Sequence, residues 1–333
     1  MKCYKLETKN FIIKRTGIKK NIKFFGYKMD IVFFGTPSSC LPIVKTIYSR
    51  FDLSLIISKS STLTLSRRKR NESKLETFSN SKSISYLTPE KLDSSFIQNL
   101  YSMQPDIFVI CAYGKILNKK VLSIPKFGTI NIHPSLLPKY RGPSPVQYSL
   151  KNLDVHTGFT FIKMDEGIDT GDILFKSLPI KIEDEDTTES LTDKIFFSAS
   201  KKINKSIQNL FDNSHSLSKQ NNKLATYTKL ISKKDGEINW HETSKQLNAK
   251  IRAYSNWPGL YTFHNTKKIK ILNLKQTTLD STIPGKIYVK NNQIYVDTST
   301  KKILISNIQL EGKKINSAYS YFKNFDISNI VLG

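Results

Sequence analysis

Three polar side chains of this chain have the types and spacing that acyl transfer requires. Asn131 and His133 lie two residues apart in Gly128-Thr129-Ile130-Asn131-Ile132-His133-Pro134-Ser135-Leu136-Leu137-Pro138, and Asp169 lies in Asp165-Glu166-Gly167-Ile168-Asp169-Thr170-Gly171-Asp172. The first segment opens as a β-branched strand and stops at a proline. Residues i and i+2 of a strand share a face, so an amide and an imidazole are expected together where the strand ends. An amide N–H can stabilise an oxyanion, an imidazole exchanges protons near neutral pH, and a carboxylate can fix the imidazole's tautomer. The expected roles are Asn131 as oxyanion donor, His133 as general base and Asp169 as the group that orients the base.

Each residue alone has a plainer use. A single histidine at a strand end is more often a satisfied structural residue, and Asn131 by itself could cap a turn. The acidic loop could be a calcium site, but Gly167 stands where an EF-hand loop needs its second oxygen ligand and Lys176 stands at the twelfth position. Taken together, the trio and its spacing favour catalysis. Ser135-Leu136-Leu137-Pro138, directly after the histidine, supplies an apolar wall of the kind a planar ligand needs. Gly35-Thr36-Pro37-Ser38 lacks the Gly-x-Gly-x-x-Gly spacing, so no nucleotide cofactor is expected. Cys3, Cys40 and Cys111 form no metal-spaced pair, the remaining histidines have no acidic or cysteine partner at metal spacing, and no metal is proposed.

The elements that must position the trio follow from apolar periodicity. Ile31 to Phe34, Leu53 to Ile57, Ile107 to Cys111 and Thr129 to Ile132 read as short continuous strands. Leu41 to Tyr48 and Leu92 to Met103 read as the helices between them. Such alternation implies an α/β fold with a mostly parallel sheet covered on both faces, whose ligands bind beyond the strands' carboxyl ends. Cys111 reads as a small core residue. Past the Ser-, Asn- and Lys-rich stretch near Asp212 come shorter alternating segments, Lys268 to Leu274, Gly285 to Val289, Gln293 to Val296 and Lys302 to Ile308, which imply a small β-barrel. The expected domains are 1–29 as a basic extension, 30–211 as the catalytic domain, 212–232 as a linker and 233–331 as the barrel. The extension is open to two readings, an upstream start codon or an organelle-targeting segment.

Charge sorts along these boundaries. Residues 1–29 carry 9 basic against 1 acidic side chain, residues 30–214 carry 24 against 19, and residues 215–333 carry 19 against 7, within a chain of net charge +25. A near-balanced middle beside a strongly basic C-terminal part fits an enzyme joined to a polyanion binder, most simply a nucleic acid. A Lys- and Asn-rich proteome would also make every surface basic, and charge alone does not separate these. No apolar run is long enough to span a membrane.

From about Asp30 to Phe325 the chain resembles the methionyl-tRNA formyltransferase family. The resemblance rests on Phe34-Gly35-Thr36-Pro37, Ala112-Tyr113-Gly114-Lys115-Ile116-Leu117, Asn131 to Pro138, Tyr140-Arg141-Gly142, Asp165 to Asp172, Ile251-Arg252-Ala253-Tyr254 with Trp257-Pro258, and Glu311-Gly312-Lys313-Lys314, all in the family's order. It implies a Rossmann-like formyltransferase domain followed by an OB-like barrel, with Asn131, His133 and Asp169 as the catalytic trio. It also implies 10-formyltetrahydrofolate as formyl donor, held by Ser135, Leu136, Leu137, Pro138, Tyr113 and Gly114. The implied partner is initiator methionyl-tRNA, met by Arg67, Arg68, Lys69, Arg70, Lys233, Lys234, Lys250 and Arg252. Tyr254 and Trp257 are expected to pack the barrel. A monomer of bacterial cytoplasmic type is expected, or an organellar protein if residues 1–29 are a targeting segment. Where the family has a Gly- and Pro-containing basic loop, this chain has Ser58 to Ser66 and then Arg67-Arg68-Lys69-Arg70, which keeps the charge without the turn chemistry. The competing readings are formyl transfer to a small acceptor, formylfolate hydrolysis, and a non-catalytic RNA-binding relative.

Overall fold

The computed structural model describes residues 28–59, 72–214 and 216–333. The basic run Arg67 to Arg70 and nearly all of residues 1–29 lie outside the described residues. Two compact units emerge. One comprises the described residues up to Arg141 with Phe159–Ser177 and Ile195–Ala225, the other Gly142–Gly158, Leu178–Lys194 and Thr226–Gly333.

The first unit is built on a seven-stranded sheet of order β3-β2-β1-β4-β5-β7-β8. Its elements begin with β1 (Asp30–Gly35), α1 (Leu41–Arg50), β2 (Asp52–Ile57), α2 (Lys74–Lys82), β3 (Ser85–Leu87) and α3 (Ser94–Ser102). They continue with β4 (Ile107–Cys111), α4 (Lys119–Leu122), β5 (Thr129–His133), then α5 (Pro145–Lys151) and β6 (His156–Thr157), which belong to the second unit. β7 (Thr160–Lys163) and β8 (Asp172–Lys176) complete the sheet; β9 (Ile180–Lys181) pairs with β6, and the 24-residue α6 (Thr188–Phe211) follows. The strands from β3 to β5 are parallel, and β7 and β8 run antiparallel at the edge.

All residues of β1 and β4 are buried, as central strands covered on both faces require. The period of two sends Val32, Phe34, Leu55, Ile57, Phe108 and Ile110 into one cluster with Leu100 of α3. Helices start where a side chain satisfies the first amides: Asp93 accepts from Phe96 N at 2.9 Å and Ser73 from Glu76 N at 3.1 Å. The chain lays β2 and β3 on one side of β1 and β4 and β5 on the other, so the order reverses between β1 and β4. In open α/β sheets that reversal, at the carboxyl ends, opens the ligand crevice. Thr36, just past β1, ties two neighbouring turns there, donating to Tyr113 O at 3.0 Å and accepting from Lys59 N at 3.3 Å. Cys111 is fully buried, and burial pushes its thiol up.

The second unit contains α7 (Ser244–Ala253), two four-stranded antiparallel sheets and the short α8 (Ala318–Phe322). β10 (Leu260–His264), β11 (Lys267–Ile271), β16 (Asn307–Leu310) and β17 (Asn316–Ser317) form one sheet. The other, in spatial order, is β12 (Leu274–Asp280), β15 (Lys301–Ile305), β14 (Gln293–Val296) and β13 (Ile287–Lys290). The single strands expected at Lys268 to Leu274 and Lys302 to Ile308 are each two strands. The chain crosses between sheets after Ile271 and at Ser306, and such corners turn a sandwich into an OB-like barrel.

Candidate active site

Strand β5 ends at His133 because Pro134 cannot donate to a ladder. Asn131 is registered with Ile110 and Ile162 and His133 with Thr160, so both lie at the sheet's carboxyl edge. The turn after the strand is tightly bonded. Ser135 N donates to His133 O at 2.9 Å, Ser135 Oγ to Lys139 O at 2.6 Å, and Thr160 Oγ1 donates to Ser135 O at 2.7 Å while accepting from Leu137 N at 3.1 Å. Leu137 is sealed against Ile162 and Ile173. The chain thereby returns to the imidazole at Tyr140.

His133 Nε2 lies 2.9 Å from the main-chain oxygen of Tyr140. A carbonyl only accepts, so Nε2 carries a hydrogen and the lone pair of the neutral ring sits on Nδ1. Nδ1 faces Asp169 Oδ2 at 3.5 Å, and Asp169 Oδ1 accepts from Asn131 Nδ2 at 3.1 Å. The imidazole and carboxylate are 5% and 13% exposed, a site that excludes most water and so strengthens each charge interaction. The structure therefore brings the three predicted residues to one point. The Tyr140 carbonyl is within hydrogen-bond reach of Nε2, and Asp169 Oδ2 stands at ion-pair distance from Nδ1, so the ring is held from both nitrogens.

Three residues near this point have a left-handed backbone. Tyr140, Asp169 and Ala112 hold left-handed φ values of 61°, 53° and 47°. Non-glycine residues occupy that region at a cost of order 1 kcal/mol or more. Asp169 is held there by its surroundings: the Gln220 side-chain amide donates to the carbonyls of Asp169 and Gly171 at 2.8 and 2.7 Å. Residue 171 must be glycine, because a Cβ there would sit 2.1 Å from Lys163 O. Asp165 Oδ1 accepts from Gly167 N and Thr170 Oγ1 at 3.1 and 2.7 Å, spending on its own loop an oxygen that a calcium ion would need. Among the described residues no group of three His, Cys, Asp or Glu side chains is placed to hold a metal.

The six predicted folate residues divide. Leu136 and Pro138 are half-buried and Gly114 is exposed at φ 75°, so these present surface. Ser135 and Leu137 are buried and build the turn. The Tyr113 ring is inside the core, edge-on to Phe34 at 5.4 Å, and burial pushes its phenol up to about 12. Its side chain is committed to packing, so any contribution to a folate site falls to its main chain. Ile116 and Ile168, 92% and 65% exposed, stand on the loops after β4 and β7. A recess of about 430 Å3 lies beside the acidic loop, lined by Lys119, Leu122, Ser123, Met164, Asp165, Glu166 and Gly167.

Of the predicted tRNA contacts, Lys233 and Lys234 are exposed. Lys250 is paired with Glu242 at 2.5 Å, and Arg252 Nη1 donates to Asp186 O at 2.9 Å, so both are engaged within the fold. Tyr254 is 1% exposed and packs as expected, whereas Trp257 is 51% exposed.

The formyl transferase family model matches residues 29–207, and the formyl transferase C-terminal domain model matches residues 230–326. Methionyl-tRNA formyltransferase of Legionella pneumophila is 35% identical over 300 residues, covering 89% of this chain and 95% of that protein. The chain belongs to the methionyl-tRNA formyltransferase family. A second member, from Thermodesulfovibrio yellowstonii, is 35% identical over 301 residues, covering 90% of this chain and 96% of its own. Fold likeness extends beyond the family to the sugar 3N-formyl transferase WlaRD, at 21% identity and a TM-score of 0.63 over 87% of this chain and 100% of that one. It extends also to HypX from Aquifex aeolicus, at 12% identity and 0.60 over 91% and 48%.

Two groups bonded to the trio carry no signal in the sequence. The Tyr140 carbonyl is main chain and has no residue-type signature. Gln220 lies in the stretch that reads as linker, where Ser, Asn and Lys surround it.

Proposed function

We propose that the chain transfers the formyl group of 10-formyltetrahydrofolate to the α-amine of methionyl-tRNA, with the initiator species as its acceptor. The observation that carries this reading is the meeting of Asn131, His133 and Asp169 at one strand end in a chain whose family membership spans both domains. In this mechanism His133 Nδ1 takes the amine's proton as nitrogen attacks the formyl carbon. The imidazolium so formed is flanked by two acceptors already in position, the Tyr140 carbonyl at Nε2 and Asp169 Oδ2 at Nδ1. Asn131 gives one amide hydrogen to Asp169 and keeps the other for the oxyanion, a contact worth about 10²–10³ in rate. The proton on His133 then passes to the departing tetrahydrofolate nitrogen, which restores the free base.

The folate fit rests on Leu136 and Pro138 as an apolar wall, on the exposed main chain at Gly114 and on Ile116 and Ile168 as apolar cover. Residues 30–211 form the catalytic domain in this reading, 212–232 the linker and 233–331 the tRNA-binding barrel. The basic excess after residue 215 supports a macromolecular acceptor over a sugar or a free amino acid, which needs no such surface. Lys233, Lys234 and the run Arg67 to Arg70 are its proposed phosphate contacts. The two methionyl-tRNA formyltransferases named above are bacterial, and no helix among the described residues is long and apolar enough to cross a membrane. The test is His133→Ala: formylation of methionyl-tRNA falls by about 10² or more while tRNA affinity stays within twofold. Equal loss of binding and rate would refute the division of labour.

A further inference from the structure

The stretch between the two matched family segments contains residues that are bonded into the edge of the active site. Ser218 exchanges both main-chain hydrogen bonds with Ile173, at 2.8 and 3.0 Å, and Lys219 Nζ lies 2.9 Å from Asp172 Oδ2. Between these fasteners and the site, Gln220 donates both amide hydrogens to the carbonyls of Asp169 and Gly171. Its Oε1 accepts from Arg141 Nε at 3.0 Å and from Nη2 at 2.8 Å. Nη2 also donates to Asn222 Oδ1 at 2.8 Å, and Arg141 is 1% exposed.

We propose that Gln220, oriented by Arg141, is a positioning residue that holds the Asp169 carboxylate against His133. The chemistry of the partners fixes the amide completely. A guanidinium only donates and a carbonyl only accepts, so one amide orientation satisfies all these bonds and its 180° flip satisfies none. The guanidinium draws electron density from Oε1 and strengthens the amide's two donor bonds. Those bonds land on Asp169's own carbonyl and on the carbonyl two residues later, and tie down the chain as it leaves the left-handed Asp169. Tyr140 and Arg141 are neighbours in the chain. The carbonyl of the first fixes His133 Nε2, and the side chain of the second, through Gln220, fixes the loop that carries the carboxylate. One dipeptide thus sets both halves of the base–carboxylate pair, and the segment that reads as a connector is part of the catalytic frame.

The inference rests on the proposed function in one respect, that Asp169 and His133 are the reacting pair. Its test uses Gln220→Leu, which removes every polar bond at similar volume, and Gln220→Glu, which still accepts from Arg141 but turns an acceptor toward two carbonyls. Amide hydrogen exchange in 165–172 should quicken about tenfold or more in both variants, with the rest of the protein unchanged. A misplacement of about 1 Å is worth up to about 10²-fold, so kcat should fall about 10- to 100-fold while KM for methionyl-tRNA stays within threefold. In an Asp169→Asn background the same changes should cost less than twofold, because the residue acts through that carboxylate. Unaltered exchange in 165–172, or a loss that multiplies with that of Asp169→Asn, would overturn the inference. A wild-type chain that does not formylate methionyl-tRNA would sink the proposed function instead, and the exchange comparison would still decide the role of Gln220.

Discussion

Replacing Asp169 by asparagine changes charge at the centre of the site with almost no change in shape. Oδ1 can still accept from Asn131, so the oxyanion donor keeps its anchor. At the other position a carboxylate oxygen 3.5 Å from His133 Nδ1 becomes an amide nitrogen. Two losses follow. The imidazolium formed during the reaction no longer meets an opposite charge, an attraction of about 5 kcal/mol at that separation and an effective dielectric of about 20. The new N–H also points at the lone pair that must receive the amine's proton. Desolvation of the carboxylate offsets part of the attraction, leaving about 3–4 kcal/mol in the transition state and a fall in kcat of about 10²- to 10³-fold. Single-turnover formylation at saturating formyl donor and charged tRNA reads this directly, with filter binding of the tRNA as control. A kcat within threefold of wild type, or a loss of affinity as large as the loss of rate, would refute the reasoning.

Three further outcomes are expected. Asp297 is fully buried; burial alone would raise its carboxyl, but Lys302 at 2.5 Å and donors from Thr282 and Ile283 outweigh it and hold it at about 2. Its folded value is below the unfolded one near 3.9, so its contribution of about 2–3 kcal/mol is complete above pH 4 and vanishes as pH falls through 2, visible as a declining urea midpoint over that window. Substituting Lys233 and Lys234 by serine should raise KM for methionyl-tRNA and lower the slope of log affinity against log salt by about 1 for each phosphate no longer neutralised, with kcat unchanged. Tyr113→Phe removes a buried hydroxyl that has no hydrogen-bond partner among the described residues, so thermal stability should hold or rise by about 1 kcal/mol with folate affinity within twofold.

What the sequence disclosed depended on whether the deciding interaction was local. Ile107–Cys111 matches its expected span because a run of apolar, mostly β-branched residues between polar stretches has few other uses. Asn131 and His133 were legible because a strand's own geometry puts them on one face, and Asp169 because its loop has a recognisable composition. The expected barrel strands run past the observed corners, since nothing local in Ile271-Leu272-Asn273 announces that the chain leaves one sheet for the other. α6 has no counterpart among the expected helices, although Leu191, Ile195, Ala199, Ile203 and Ile207 form a fully buried stripe at a spacing of four. Tyr113 belongs to a motif that implies a pocket, and only the packing around β1 and β4 shows that its ring lies in the core. The bonds that fix the imidazole and the Asp169 loop come from a main-chain oxygen and from a glutamine 51 positions away, and neither leaves a pattern in the sequence.

The most direct test compares acceptors for one purified protein. Supplied with 10-formyltetrahydrofolate, it should formylate methionyl-tRNA, with the initiator species preferred, and leave free methionine and small amines unmodified. Formylation of a free amino acid or an amino sugar at rates matching or exceeding those for charged tRNA would contradict the account.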